Sequence, residues 1–121
     1  MDIAAKVVLG LVAILHVYFF FLEAVVWGRP RTNKVFGITA EQATHAAVFA
    51  KNQGVYNLFL VAGLLWSFVH PDPAFSRQLA LFFGGCVVVA GVVGAMTANK
   101  RILFVQAVPA LVGVALTLAA G

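Results

Sequence analysis

Glu23, His16 and three amides, Asn52, Gln53 and Asn57, are the side chains of this chain best suited to chemistry, and they sit in or beside long apolar runs. A carboxylate and an imidazole can pass protons, which makes Glu23 and His16 the catalytic candidates. Amides can orient a ligand or bridge helices, and Asn52, Gln53, Tyr56, Asn57 and Gln106 form the ligand-binding candidates. The sequence contains no nucleophile motif, phosphate-binding loop, C-x-x-C pair or haem signature. That inventory suits proton shuttling or the orientation of a lipophilic substrate, and it excludes hydrolysis by a Ser or Cys triad. His16 and Glu23 are seven residues apart. On a helix that is about 10 Å along the axis, whereas zinc ligands lie near about 2 Å from the ion. No metal and no cofactor is therefore expected.

These residues must be positioned by elements that live in a bilayer. Of the 121 residues, 63% are hydrophobic and 10% charged, against about 45–50% and about 25% in soluble domains. Mean hydropathy is +1.01. A soluble fold of this size has too much surface to cover with so few charges. The net charge of +4 comes from basic residues at the ends of apolar runs. They form no basic patch, so nucleic-acid binding is set aside. Cys86 is the single cysteine. It cannot form an internal disulfide and reads as an inert buried thiol.

A bilayer-crossing helix needs roughly 20 apolar residues. Four segments qualify, roughly 3–27, 46–69, 79–98 and 102–120, within a single membrane domain, 1–121. The expected fold is all-α, an integral membrane four-helix bundle. Gly28-Arg29-Pro30 ends the first span, His70-Pro71-Asp72-Pro73 ends the second, and Asn99-Lys100-Arg101 is expected as a tight turn. Thr39-Ala40-Glu41-Gln42 has the pattern of a capping box, which starts the second helix near Ala40. Arg29, Arg31, Lys34, Lys100 and Arg101 occupy loops one and three, against Lys6 and Arg77 on the other side. That bias places loops one and three in the cytoplasm and both termini outside, in a bacterial cytoplasmic (inner) membrane crossed several times.

Orientation converts position into depth. Glu23 lies about 6 Å in from Trp27, and Lys51, Asn52 and Gln53 about 8–10 Å in from Ala46. His16 and Asn57 are each eleven residues from those same ends. Glu23 shares a helix face with His16, as Gln53 does with Asn57. All are expected to face the bundle interior and line a polar pocket, because exposure to hydrocarbon is costly. Lys51 is the alternative partner for Glu23. Gly54 would let the first helix approach closely. Ala90, Gly94 and Ala98 form a small-xxx-small stripe, and Gln106, Ala110, Gly113 and Thr117 form another beside Pro109.

The H-x6-E face of the first helix, the NQGVYN-x-FL run of the second, the AG-x2-GA-x-T end of the third and the Q-x2-PA start of the fourth resemble one family. It is the bacterial domain-of-unknown-function 1304 family of small integral membrane proteins. The resemblance implies that His16, Glu23, Asn52, Gln53, Gly54, Tyr56, Asn57, Gly91, Gly94, Gln106 and Pro109 are signature positions, and it carries no activity. KNQGVYNLFLVAGLLW is also loosely similar to the second helix of the MAPEG enzymes. The small multidrug-resistance exporters are similar in architecture. The expected function is binding of a small lipophilic or amphipathic ligand, with Glu23 and His16 moving protons. The alternatives are a proton-coupled exporter acting as a homo-oligomer and a non-catalytic membrane partner subunit.

Overall fold

Helix boundaries follow local signals in the chain. The computed structural model describes residues 1–97 and 100–121. Its elements are α1 (Ile3–Phe20), a π-helical turn (Phe21–Val25), α2 (Pro30–Phe36), α3 (Ala40–Val69), α4 (Pro73–Thr97), α5 (Lys100–Ile102), a second π-helical turn (Leu103–Ala107) and α6 (Val108–Ala119). No strand occurs among the described residues. The expected capping box forms in both directions. The Gln42 N–H donates to Thr39 Oγ1 at 3.1 Å, and the Thr39 N–H to Gln42 Oε1 at 2.9 Å. α3 starts at Ala40 accordingly. Asp72 starts α4 by accepting the Ala74 N–H on Oδ1 at 2.9 Å. α4 therefore begins at Pro73, six residues before the expected span.

Among the described residues three helical stretches are long and apolar enough to cross a membrane: Ile3–Val25, Pro73–Thr97 and Lys100–Ala119. The expectation was four. α3 has ample length, 30 residues. Asn52, Gln53 and Asn57 lower its mean hydropathy, so composition alone leaves it short of the other three. Loop one contains a helix that the reading from sequence did not include. Both of its end signals are present: Pro30 in the first turn, and Gly37 with φ 67° after the last. The Ile38 N–H reaches Asn33 O and the Gly37 N–H reaches Lys34 O, which closes a Schellman motif. Asn99, the first residue of the expected tight turn, and Ala98 of the small-residue stripe lie outside the described residues. Lys100 and Arg101 are helical.

The chain forms two compact units, Met1–Leu15 with Leu60–Gly121, and His16–Phe59. The first is built around Leu9, Val12, Ala13, Val61, Leu64, Ala80, Val87 and Ala110. Its outer faces are also apolar: Ile3, Val7, Leu11 and Ile14 of α1 are exposed. That is the pattern of a helix solvated by hydrocarbon. The expected stripe of α6 is present, since Ala110, Gly113 and Thr117 are buried, and Gln106 just before it. On α4 the packing stripe differs from the expected one. Ala90 is exposed, Gly94 is half-buried against Ile102, and the buried positions are Ser76, Leu79, Ala80, Gly84, Val87 and Gly91. Spacings of three and four residues from Gly84 set that stripe, whereas Ala90 lies about 100° off it.

At Gly91 one helix comes up against the backbone of another. A Cβ there would stand 2.7 Å from the Ala107 backbone N and 2.6 Å from its Cβ. Ala107 closes the second π-helical turn, where the Val108 N–H reaches back to Leu103 O. Pro109 follows, without an N–H and with a ring that crowds the carbonyl four residues earlier. The widened turn gives that carbonyl room. Gly91→Ala is expected to force α4 from this turn and lower the unfolding temperature of the detergent-solubilised protein by several degrees, since overpacking costs about 1–3 kcal/mol. Gly85→Ala meets nothing within 4 Å and should be neutral or stabilising by up to about 1 kcal/mol. Equal melting temperatures for the two variants would refute the close approach.

Candidate functional site

The unit His16–Phe59 holds most of the candidate residues, and its geometry begins with a break in helical register. At Phe21 the chain passes from α1 into a π-helical turn that carries Glu23, and the Val26 N–H bonds Phe21 O at 3.1 Å. Such turns insert one extra residue into the ladder and re-aim the side chains around them. Glu23 is buried, with 6% of its surface exposed. Asn57 of α3 is buried as well, and its Nδ2–H donates to Glu23 Oε1 at 2.7 Å. Gly54, one turn before Asn57, lets the two backbones meet. A Cβ there would lie 3.1 Å from Ala24 Cβ and 3.2 Å from Glu23 Cβ. A Cβ at Gly54 would crowd Glu23 and Ala24, so glycine eases the approach that brings a short Asn side chain within reach of Glu23.

Placement of the other candidates is mixed. His16 is fully buried, edge-on to Phe19 with ring centroids 5.4 Å apart. Asn52, Gln53 and Tyr56 are exposed, which corrects the expectation that the three amides point inward together. The buried stripe of α3 in this unit runs Ala43, Ala50, Gly54, Asn57, with spacings of seven, four and three. Gln53 and Tyr56 each precede a stripe residue by one position and are rotated about 100° from it. Lys51 is exposed, and no ion pair joins it to Glu23 among the described residues. Gln106 belongs to the other unit, where it is buried in the second π-helical turn. In place of the expected polar pocket, Glu23 and Asn57 are bonded directly to each other. Among the described residues no three His, Cys, Asp or Glu side chains are grouped as metal ligands.

Loop one supplies contacts that sequence reasoning missed. Trp27 Nε1–H donates to Ala43 O at 2.8 Å, which ties the end of the first span to the start of α3. Thr32 Oγ1–H donates to Val26 O at 2.9 Å, and Asn33 Nδ2–H to Gly28 O at 3.2 Å. These bonds fold α2 back against the chain that precedes it. Between them lies a groove of about 630 Å³, walled by Tyr18, Phe21, Leu22 and Val26 on one side and by Arg29, Arg31, Thr32 and Val35 on the other. None of the catalytic or ligand-binding candidates lines it, although Arg29 and Arg31 entered the sequence analysis through their charge. The signal that could have led to it was the Pro30…Gly37 frame, which places a short helix across Arg31 and Lys34.

The Glu23–Asn57 bond has a useful chemical property. The amide N–H can donate to Oε1 whether the carboxyl group is ionised or neutral, so a proton can come and go on Oε2 without breaking the joint. Glu23→Gln keeps an oxygen acceptor at the same place. Asn57→Leu removes the donor and strands a buried carboxyl group, which costs about 1–3 kcal/mol. Thermal unfolding in detergent should therefore show Asn57→Leu clearly destabilised and Glu23→Gln close to wild type. The double variant Glu23→Leu/Asn57→Leu should be less destabilised than the sum of its single changes, by about 0.5 kcal/mol or more. Additive effects would show that the two side chains do not interact.

Comparison with known proteins places the chain. An uncharacterised protein, YpaA of Lactococcus lactis subsp. lactis (strain IL1403), is 28% identical over 100 residues, which cover 79% of this chain and 81% of that protein. No solved structure matches. The family described as protein of unknown function (DUF1304) matches residues 10–118, nearly the whole of the sequence. The chain belongs to that family.

Proposed function

We propose that this protein is a four-span bundle of the bacterial cytoplasmic membrane that binds a small lipophilic or amphipathic molecule, with Glu23 as the proton-exchanging group. α3 serves as the additional span. Loops one and three face the cytoplasm, and the whole chain acts as one membrane domain. The observation that carries the proposal is the buried bond from Asn57 Nδ2 to Glu23 Oε1. An ionisable side chain kept inside a membrane segment is expensive, and such residues mark binding sites or proton paths far more often than they serve as filler. The π-helical turn that presents Glu23 supports the same view, since these turns concentrate at functional sites. His16, buried on the same helix, is the second group able to relay a proton. Asn57 holds the carboxyl group in one orientation. Gln106, Asn52, Gln53 and Tyr56 remain ligand candidates, the last three only where something covers the outer face of α3.

A non-catalytic partner subunit is favoured by one observation: Glu23 and Asn57 satisfy each other, which also suits a pin for helix register. An exporter working as an oligomer would cover the exposed polar residues of α3. Mass spectrometry of lipids and small molecules extracted with purified wild type, Glu23→Gln and Asn57→Leu separates the three. A compound present in wild type and lost from both variants supports the ligand site. Identical extracts, together with a proton flux in liposomes that Glu23→Gln abolishes, point to the exporter. Identical extracts with no flux leave the register pin.

A further inference from the structure

We propose that the groove between the end of the first span and α2 is a binding site for one anionic phospholipid, with its phosphate between Arg29 and Arg31 and one acyl chain along Tyr18, Phe21, Leu22 and Val26. The site uses residues other than Glu23 and Asn57 and stands whether or not Glu23 exchanges protons. Its volume of about 630 Å³ lies within the usual range for ligand sites, about 300–1,000 Å³. Its walls divide by chemistry. From Tyr18 to Val26 the lining is aromatic and aliphatic and extends about 12 Å along the helix axis, within or at the end of an apolar stretch able to cross a membrane. Arg29 and Arg31 line the other end, just beyond that stretch, where headgroups lie. A groove walled by apolar side chains and by two arginines complements an amphipathic anion. Arginine also suits phosphate in particular, because its planar fork can donate two parallel hydrogen bonds.

Basic residues flank membrane spans generally, so placement of the charges matters more than their number. Lys34 lies on the same short helix and is exposed, yet it is not part of the groove lining, whereas Arg29 and Arg31 both are. The wall that carries them is fixed: Thr32, between Arg31 and Asn33, is anchored through its hydroxyl to Val26 O, and Asn33 through its amide to Gly28 O. These bonds anchor the backbone on which the two arginines stand beside the groove. A flexible loop would spread them over the surface.

The test uses the full-length protein, delipidated in detergent and titrated by native mass spectrometry with phosphatidylglycerol, phosphatidylcholine and inorganic phosphate. The expected result is one tightly bound phosphatidylglycerol, preferred over phosphatidylcholine by at least tenfold. Arg29→Gln/Arg31→Gln should weaken it by about fivefold per arginine, while Lys34→Gln leaves it unchanged. Val35→Trp, which fills the groove, should weaken it without any change in charge. Circular dichroism of each variant confirms that the helices are retained. Equal affinity for the two lipids, or equal losses on removing Lys34 and either arginine, would overturn the proposal in favour of diffuse attraction to a basic end. Binding of inorganic phosphate that matches phosphatidylglycerol and ignores Val35→Trp would overturn it in favour of a free-anion site.

Discussion

In hydrocarbon a polar group has no water to turn to, and every buried donor and acceptor must find a partner within the protein. Helices solve that problem for the backbone. A side chain such as Glu23 has no general solution and needs a particular neighbour. Asn57 is that neighbour, and the rest of the unit His16–Phe59 can be understood from what the pairing requires. Gly54 removes the Cβ that would hold α3 away from Glu23. The π-helical turn widens the ladder at Phe21–Val25 and carries the carboxyl group to the face that α3 covers. Trp27 and Ala43 fasten the next point of contact. A shift of α3 by one residue would break the Glu23–Asn57 and Trp27–Ala43 bonds together.

The unit formed by Met1–Leu15 and Leu60–Gly121 buries Ser67, Ser76, Gln106 and Thr117 but no carboxylate. Its hydroxyls are satisfied locally, Thr117 by Gly113 O and Ser67 by Leu64 O, with Ser76 reaching across the turn to Ser67 O. Association without a hydrophobic driving force rests on tight van der Waals contact. Small residues at Gly84, Gly91 and Gly113 provide it, against Val114, Ala107 and Leu9 respectively. Hydroxyls bonded to backbone carbonyls suffice in that unit, whereas the unit His16–Phe59 buries a carboxyl group bonded to an amide side chain, which is why the candidate chemistry concentrates there.

Legibility differed by the range of the signal. The capping box at Thr39, the stop before Pro71 and the buried Gln106–Ala110–Gly113–Thr117 stripe were readable, because each depends on residues within a turn or two of one another. Glu23 and Asn57 were readable as candidates, since an ionisable or amide side chain in an apolar run stands out by composition alone. The inward set of amides was not. Asn52, Gln53 and Asn57 look equivalent in the sequence, and only the phase of the packing face separates them. The helix Pro30–Phe36 is hard to read for a different reason. Its seven residues carry no apolar period long enough to register, although both of its terminal signals are present.

Taken by itself, the sequence determines that the chain is helical and apolar enough for a membrane, where most helices start and stop, and which few side chains are costly enough to matter. These follow from local rules: hydropathy over about 20 residues, caps, and the inability of proline to donate. Tertiary structure decides which amide meets Glu23, which glycines lie at contacts, and that Arg29 and Arg31 share a groove with Tyr18 and Leu22. Those outcomes depend on helix phase, and a single π-helical turn shifts the phase of everything beyond it by roughly 100°. No periodicity in the residues announces that shift at Phe21. It becomes visible only when the helices are packed.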